Sequence, residues 1–341
     1  MIELPTALKP FITKVSEKQI LSFDEACEAF DIVMSGGATA AQIAGFLVAL
    51  RMRGENVDEL SAAVKVIRAK ALSVHAPADA IDIVGTGGDG SGTLNISTAT
   101  AIVVAGCGLP VAKHGNRALS SKSGAADVLG ILGVNLGAPI EKIEQAITEA
   151  KIGFMLAPRH HSSFKYVGPV RGELGIRTMF NILGPLCNPA GVKRYLLGVY
   201  SKEWVKPMAE VLAKLGCEKA WVVHGADGLD ELSTTGQNYV CEVNSKEIKE
   251  LNISPEDAGI PLATLEQLKG GEVSYNAKRL QALLKGEKDA YRDIVLFGAA
   301  AALLVADKIS DLKDGVQLAA KSIDNGNASL ALEKLINICQ S

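Results

Sequence analysis

Apolar residues in the first part of the chain recur with a helical period. After Thr39, the positions Ile43, Phe46, Leu47 and Leu50 fall at i, i+3, i+4 and i+7, which gathers them on one helix face. Start signals accompany the pattern. Ser22-Phe-Asp-Glu25 and Thr39-Ala-Ala-Gln42 both match the capping box, in which a hydroxyl and a carboxylate or amide satisfy orphan N–H groups reciprocally. Gly36-Gly37 and Gly54 supply the stops, and Asn56 caps a further helix running to about Leu72. The pattern predicts an all-helical unit over residues 1–75.

Ser73 to Asp79 lacks periodicity and carries Pro77, which marks a linker. Beyond it the period shortens. Ala80 to Val84 reads as a short apolar strand, a glycine loop follows, and Ser97 to Cys107 is apolar with helix-forming residues. Val111-Ala112, Gly153 to Leu156, Leu196 to Tyr200 and Ala220 to Val223 read as further strands, separated by helical stretches such as Ile140 to Ala150 and Lys206 to Leu215. Alternation of this kind predicts an α/β layer. The expected fold is a small all-helical N-terminal domain packed on a larger α/β domain, residues 76–341, whose central sheet is flanked by helices.

Composition narrows the function classes. Aromatic residues are only 5% of the 341, so Ala, Val, Ile and Leu must build the core. A formal charge of −3 and a pI near 6.0 give no global attraction to nucleic acid or to an anionic membrane, so any anion site must be local. No apolar stretch approaches the roughly 20 residues needed to cross a bilayer. The N-terminus has no basic region followed by an apolar run, and no signal peptide is expected. Six cysteines at 27, 107, 187, 217, 241 and 339 form no Cys-x-x-Cys pair and read as buried reduced thiols. The expectation is a cytoplasmic protein with neither nucleic acid nor membrane as partner.

The strongest chemical signal is Asp82-Ile-Val-Gly85-Thr-Gly-Gly-Asp89-Gly90, which follows a strand, with Asn95-Ile-Ser97-Thr98 opening the next helix. Glycines let the backbone turn tightly and approach a ligand, and a helix start offers free N–H groups to an anion. The pattern is a phosphate or pyrophosphate cradle. Gly85, Gly87 and Gly90 also satisfy G-x-G-x-x-G, but a dinucleotide fold needs an acidic residue about 20 positions on, and none occurs between Gly90 and Ala126. That acid-free stretch instead holds Lys113, His114, Arg117 and Lys122, a composition suited to a highly anionic ligand.

Other constellations are less decisive. Asp230-Glu231 should lie on a loop at the carboxyl end of a strand, where paired carboxylates suit a hard cation that keeps waters and bridges to phosphates; alone, such a pair is more often a solvated turn. Arg171 and Arg177 flank Glu173, so either arginine reads equally as a fork for a substrate carboxylate or as a structural partner of Glu173. His160-His161 has no third ligand at metal-like spacing. No Gly-x-Ser-x-Gly elbow or Walker lysine motif is found.

The glycine loop, Asn95 to Thr98, Lys113-His-Gly-Asn-Arg117, Ser123-Gly124 with Ala126 to Leu129, Val170-Arg171 through Thr178, Asn181 to Leu186 with Asn188-Pro189, and Asp230-Glu231 together resemble the anthranilate phosphoribosyltransferases. The resemblance implies transfer of the 5-phosphoribosyl group from phosphoribosyl pyrophosphate to the amine of anthranilate, in tryptophan biosynthesis. It implies Mg2+, two ions per active site, with Asp230 and Glu231 holding one and Ser97 touching the other. Donor binding would fall to Gly85, Thr86, Gly87, Gly88, Asp89, Thr93, Asn95, Ser97, Thr98, Lys113, Ser121 and Ser123. Acceptor binding would fall to Gly85, Asn116, His161, Arg171 and Pro185, leaving Arg177 structural. Lys113, Asp230 and Glu231 would assist loss of pyrophosphate, and the enzyme would be a homodimer joined through its helical domains, with its active site in the cleft between helical and α/β domains.

The chain departs from the family pattern in places. His161-Ser-Ser-Phe164-Lys165 stands where relatives commonly read His-Pro-Ala-Met-Lys, and Gly130 and Gly298 replace a frequent Glu and Asn. Two rivals share the expected fold: a nucleoside phosphorylase, and a non-catalytic relative that binds nucleic acid. The Arg171 region argues against the first; the net charge and the Lys113 to Arg117 block argue against the second.

Overall fold

A computed structural model describes residues 6–118 and 122–340. The N-terminal unit comprises α1 (Lys9–Ser16), α2 (Phe23–Met34), α3 (Ala40–Arg53) and α4 (Val57–Ala69). The last three all begin with a formed capping box, Ser22 with Glu25, Thr39 with Gln42 and Asn56 with Glu59. Glu59 also receives the backbone N–H of Leu21 at 3.1 Å and pairs with Arg53, so its buried charge is compensated. Helix α4 stops at Ala69, short of the expected Leu72.

The larger unit is built on seven strands: β1 (Ile81–Gly85), β2 (Val111–Gly115), β3 (Ile152–Leu156), β4 (Arg194–Gly198), β5 (Lys219–Gly225), β6 (Asn238–Asn244) and β7 (Glu247–Ile253). Their order is β3-β2-β1-β4-β5-β6-β7, with β1 to β5 parallel and β6 and β7 antiparallel. Several strand bounds differ from the sequence pattern, and β6 and β7 are additional to it. β4 begins two residues before the expected Leu196 and ends two before the expected Tyr200, and β2 extends through Gly115, which sets Lys113 inside the sheet. The β6–β7 hairpin turns at Ser245, which takes a positive φ of 56°. β7 escapes a periodicity search because it is a charged, largely exposed edge strand, Glu-Ile-Lys-Glu-Leu-Asn-Ile.

Helices cover the sheet: α5 (Ile96–Gly106), α6 (Ala125–Ile131), α7 (Ile140–Glu149), α8 (Ala157–His160), α9 (Gly168–Leu174), α10 (Phe180–Leu183), α11 (Val205–Lys214), α12 (Val273–Leu284), α13 (Ala290–Val305), α14 (Leu312–Asp324) and α15 (Asn327–Gln340). α5 and α13 are buried on almost every face, as expected of helices apolar all round, and they pack on each other. The two units are tied where Leu72 and His160 exchange hydrogen bonds, at 2.8 Å from the Leu72 N–H and 2.8 Å at His160 Nδ1. α9 packs against α3, which carries Arg171 to the helical side of the molecule.

The topology also locates a crevice. From β1 the chain winds outward through β2 and β3, then returns to the other side of β1 as β4. β1 and β4 therefore flank the switch point, where α/β sheets bind ligands outside the carboxyl ends of their strands.

Candidate active site

A cavity of about 680 Å³ opens at that switch point, lined by the glycine loop, the start of α5, the end of β2, and residues of α8 to α10. Glycines at the strand ends make room for Asp230 beside it. A Cβ on Gly85 would stand 2.4 Å from Asp230 Oδ2, and one on Gly198 would stand 1.6 Å from the Asp230 carbonyl oxygen. The loop itself turns through Gly87 and Gly88, at φ of 67° and 77°, values that favour glycine.

The two carboxylates sit on the groups an anion would seek. Gly87 N–H donates to Asp230 Oδ2 at 2.6 Å, and Ser97 N–H, in the first turn of α5, donates to Glu231 Oε1 at 3.0 Å. Burial pushes both carboxyls above their ordinary range; Asp89 repels Asp230, and Asp230 repels Glu231. Lys113 faces them from β2. Its Nζ donates to the Ile83 carbonyl at 2.6 Å and lies 3.4 Å from Ser97 Oγ; burial lowers its pKa, while Asp82, Glu231 and Asp230 oppose that shift.

Asp82 had no assigned role in the sequence, yet it is completely buried beside this lysine. It accepts from His114 N–H at 3.2 Å and from Asn188 Nδ2 at 2.7 Å, and the same Asn188 nitrogen donates to the Ala112 carbonyl at 2.8 Å. Burial lifts its pKa to about 6 against the pull of Lys113 and these donors. The network braces β1 against β2 under the cleft. Its only trace in the sequence is one acid within an apolar strand.

The opposite wall is aromatic. His114 and His161 rings meet at 5.2 Å, His161 and Phe164 at 5.7 Å, and Phe164 and Phe180 at 5.7 Å, all edge to face. The Arg171 guanidinium caps the row 5.6 Å from the Phe180 ring. Burial, with the neighbouring His160, pulls the pKa of His161 down to about 4 against an opposing contact with the Cys187 backbone. Both imidazoles are thus neutral near pH 7, His114 being lowered for the same reason. Phe164, the departure noted in the sequence, joins the two halves of this row.

Among the described residues, Arg171 forms no ion pair, so the expected alternative of a salt bridge to Glu173 is not formed. Arg177 instead serves the loop: its Nη2 donates to the Gly88 carbonyl at 2.5 Å and its guanidinium stacks 4.3 Å above the Tyr200 ring. Gly85 to Asp89, Thr93, Asn95, Ser97, Lys113, Asn116, Ser123, His161, Arg171, Pro185, Asp230 and Glu231 all line the cavity. Thr98 does not; it is buried in α5. Ser121 lies outside the described residues. The cations of the acid-free stretch converge in part: Lys113 and Arg117 both line the cavity, Arg117 pairing with Asp127 at 3.0 Å, whereas exposed Lys122 lies 3.8 Å from Glu272. Asp127 also receives the N–H groups of Ala118 and Gly124, so the stretch is held by an acid just beyond its end.

Comparison with known proteins agrees with this architecture. The α/β domain of a glycosyl transferase family matches residues 77–329, and that family's helical bundle domain matches residues 9–71. An anthranilate phosphoribosyltransferase of Chelativorans sp. (strain BNC1) is 57% identical over 97% of this chain and 98% of its own; one of Rhodopseudomonas palustris (strain HaA2) is 56% identical over 97% and 98%. The crystal structure of the Thermus thermophilus enzyme superposes with a TM-score of 0.93 at 44% identity, covering 97% of this chain and 99% of that one. The Saccharomyces cerevisiae enzyme in complex with phosphoribosyl pyrophosphate and Mg superposes with a TM-score of 0.90 at 30% identity, covering 98% of each chain.

Proposed function

The chain belongs to the anthranilate phosphoribosyltransferase family, and from that premise we propose that its cleft transfers the phosphoribosyl group of phosphoribosyl pyrophosphate to the amine of anthranilate, as a step of tryptophan biosynthesis. The observation that carries the reading is the placement of Asp230 and Glu231 on the N–H groups of Gly87 and Ser97, opposite Lys113. Two crowded, desolvated carboxylates at a phosphate cradle suit a divalent cation, whose charge would relieve their repulsion. Asp230, Glu231 and Ser97 would hold Mg2+, two ions per site. The metal supplies charge neutralisation to a departing pyrophosphate.

The remaining roles belong to the chain itself. The Gly85 to Gly88 loop and the α5 start face the donor, with Thr86, Asp89, Thr93, Asn95 and Ser123 around them, while the Gly87 and Ser97 N–H groups hold Asp230 and Glu231 in place. Lys113, held by the Ile83 carbonyl and Ser97, places its ammonium where negative charge grows on the leaving group. Anthranilate lies along the aromatic row, its carboxylate on Arg171 and its amine directed by Asn116, with His161, Gly85 and Pro185 beside the ring. Its amine is neutral near pH 7, so no strong base is required and positioning dominates.

The same reading divides the chain into a helical domain of residues 1–75 and a catalytic domain of 76–341. It makes the protein a cytoplasmic homodimer. Support for a dimer through the helical domain comes from α3, which exposes Ala41, Gly45 and an 81% exposed Met52. Six free cysteines fit a reducing compartment. The test is loss of anthranilate fluorescence on adding enzyme, phosphoribosyl pyrophosphate and magnesium. The Asp230→Ala/Glu231→Ala variant should fold and lose most of this activity; wild-type turnover by that variant at ordinary magnesium would refute the metal assignment.

A further inference from the structure

The region after β7 contributed nothing to the sequence reading of the site, yet it grips the donor loop. Leu94 N–H donates to the Leu268 carbonyl at 3.0 Å, Gly270 N–H donates to the Gly92 carbonyl at 2.9 Å, and Lys269 Nζ donates to the Ser91 carbonyl at 2.6 Å. At the end of this clasp stands Asn276 in α12, 1% exposed and absent from the side chains lining the cleft.

Its hydrogen bonds have a forced direction. Gly271 N–H can only donate, and it donates to Asn276 Oδ1 at 2.8 Å. Asn276 Nδ2 must therefore face the other way, where it donates to Asn95 Oδ1 at 2.9 Å. Ser123 Oγ donates to the same Asn95 oxygen at 3.1 Å. The Asn95 amide is thereby oriented too: its Nδ2 donates one hydrogen to the Ser123 carbonyl at 3.3 Å and keeps the second for the cleft that Asn95 lines. Tyr291 hydroxyl, donating to the Asn95 carbonyl at 3.1 Å, fixes the backbone beneath.

We propose that Asn276 is a positioning residue for the phosphoribosyl donor, relaying the polarity of the Gly271 N–H through Asn95 so that an N–H, and not a carbonyl oxygen, faces the donor's phosphate oxygens. The proposal rests on the donor-site reading given above. An acceptor-only side chain of the same shape inverts the relay. In Asn276→Asp one oxygen still takes the Gly271 N–H, but the other meets Asn95 Oδ1 lone pair to lone pair. The Asn95 amide then rotates and turns its oxygen toward the anion.

The experiment is steady-state kinetics of full-length Asn276→Asp, Asn95→Ala and the double variant, read by anthranilate fluorescence. Asn276→Asp should raise the donor KM roughly tenfold or more, the scale of one hydrogen bond to a charged group, and leave the anthranilate KM within about twofold. In the Asn95→Ala background the same substitution should add nothing to the donor KM, because the residue it acts through is gone. Asn276→Ala, which buries no charge, should show a smaller rise with the same dependence on Asn95 and serves if Asn276→Asp does not fold. A donor KM penalty that persists without Asn95, or equal increases for both substrates, would overturn the proposal. Absence of phosphoribosyl transfer by the wild-type protein would instead overturn the functional reading beneath it.

Discussion

Gly198→Ala tests how closely catalysis depends on the position of the acidic pair. The glycine ends β4, and a Cβ there would lie 1.6 Å from the carbonyl oxygen of Asp230, 2.4 Å from its carbonyl carbon and 3.2 Å from the nitrogen of Glu231. Ordinary contact begins near 3.4 Å, so the Asp230 backbone must retreat by nearly 2 Å. Gly198 does not have a positive φ, so alanine brings no backbone strain of its own. Overpacking of this kind costs about 1 to 3 kcal/mol, which a domain stable by roughly 5 to 15 kcal/mol survives. Magnesium, by contrast, demands ligands at about 2.0 to 2.1 Å in near-octahedral geometry, and misplacing a catalytic group by about 1 Å costs on the order of 10²-fold. The expected result is a folded variant whose melting temperature falls by a few degrees, whose kcat drops about 100-fold, and whose magnesium half-saturation rises. Fluorescence-monitored turnover across a magnesium titration, with calorimetry on the same sample, reads all three. A variant with the lowered melting temperature but unchanged turnover and magnesium dependence would refute the reasoning.

Two further outcomes are expected. Gly87→Val places a β-branched residue at a φ of 67°, so the loop should re-form, release Asp230 from the Gly87 N–H and lose its donor-facing shape; isothermal titration should show donor affinity reduced by roughly two to four decades while anthranilate still binds. His161 has a folded pKa of about 4 against 6.5 unfolded, so between those values the unfolded chain binds more protons and stability falls as pH falls. Denaturant unfolding of His161→Gln should therefore lose about 2 kcal/mol less than wild type between pH 7.5 and pH 5; identical pH dependence in the two proteins would mean the imidazole is not held neutral.

Much of this protein was legible along the chain because local chemistry enforces it. Capping boxes at Ser22 and Thr39 and the stripe from Ile43 to Leu50 predict helices that form as read, since a cap needs only residues three positions apart. The glycine loop was legible for a similar reason: its turn requires residues that tolerate positive φ at Gly87, Gly88 and Gly90. What lay beyond reach were relations between distant segments. The three cations from Lys113 to Lys122 look like one anion patch on paper, but strand formation buries Lys113 in the sheet, Arg117 lines the cavity while paired with Asp127, and Lys122 turns away to Glu272. Asp82 became part of the site's foundation only when parallel pairing set β2 beside it and brought Asn188, over a hundred residues away, to its carboxylate.

By itself the sequence determined which segments could be helix, strand or anion-binding turn, because periodicity, capping and glycine conformation act over a few residues. Only the tertiary structure decided which charges are desolvated and which donors point where. Burial and hydrogen-bond direction at Asp230, Glu231, His161 and Asn276 depend on neighbours such as Asp89, His114 and Asn95, which the folded sheet and its covering helices supply.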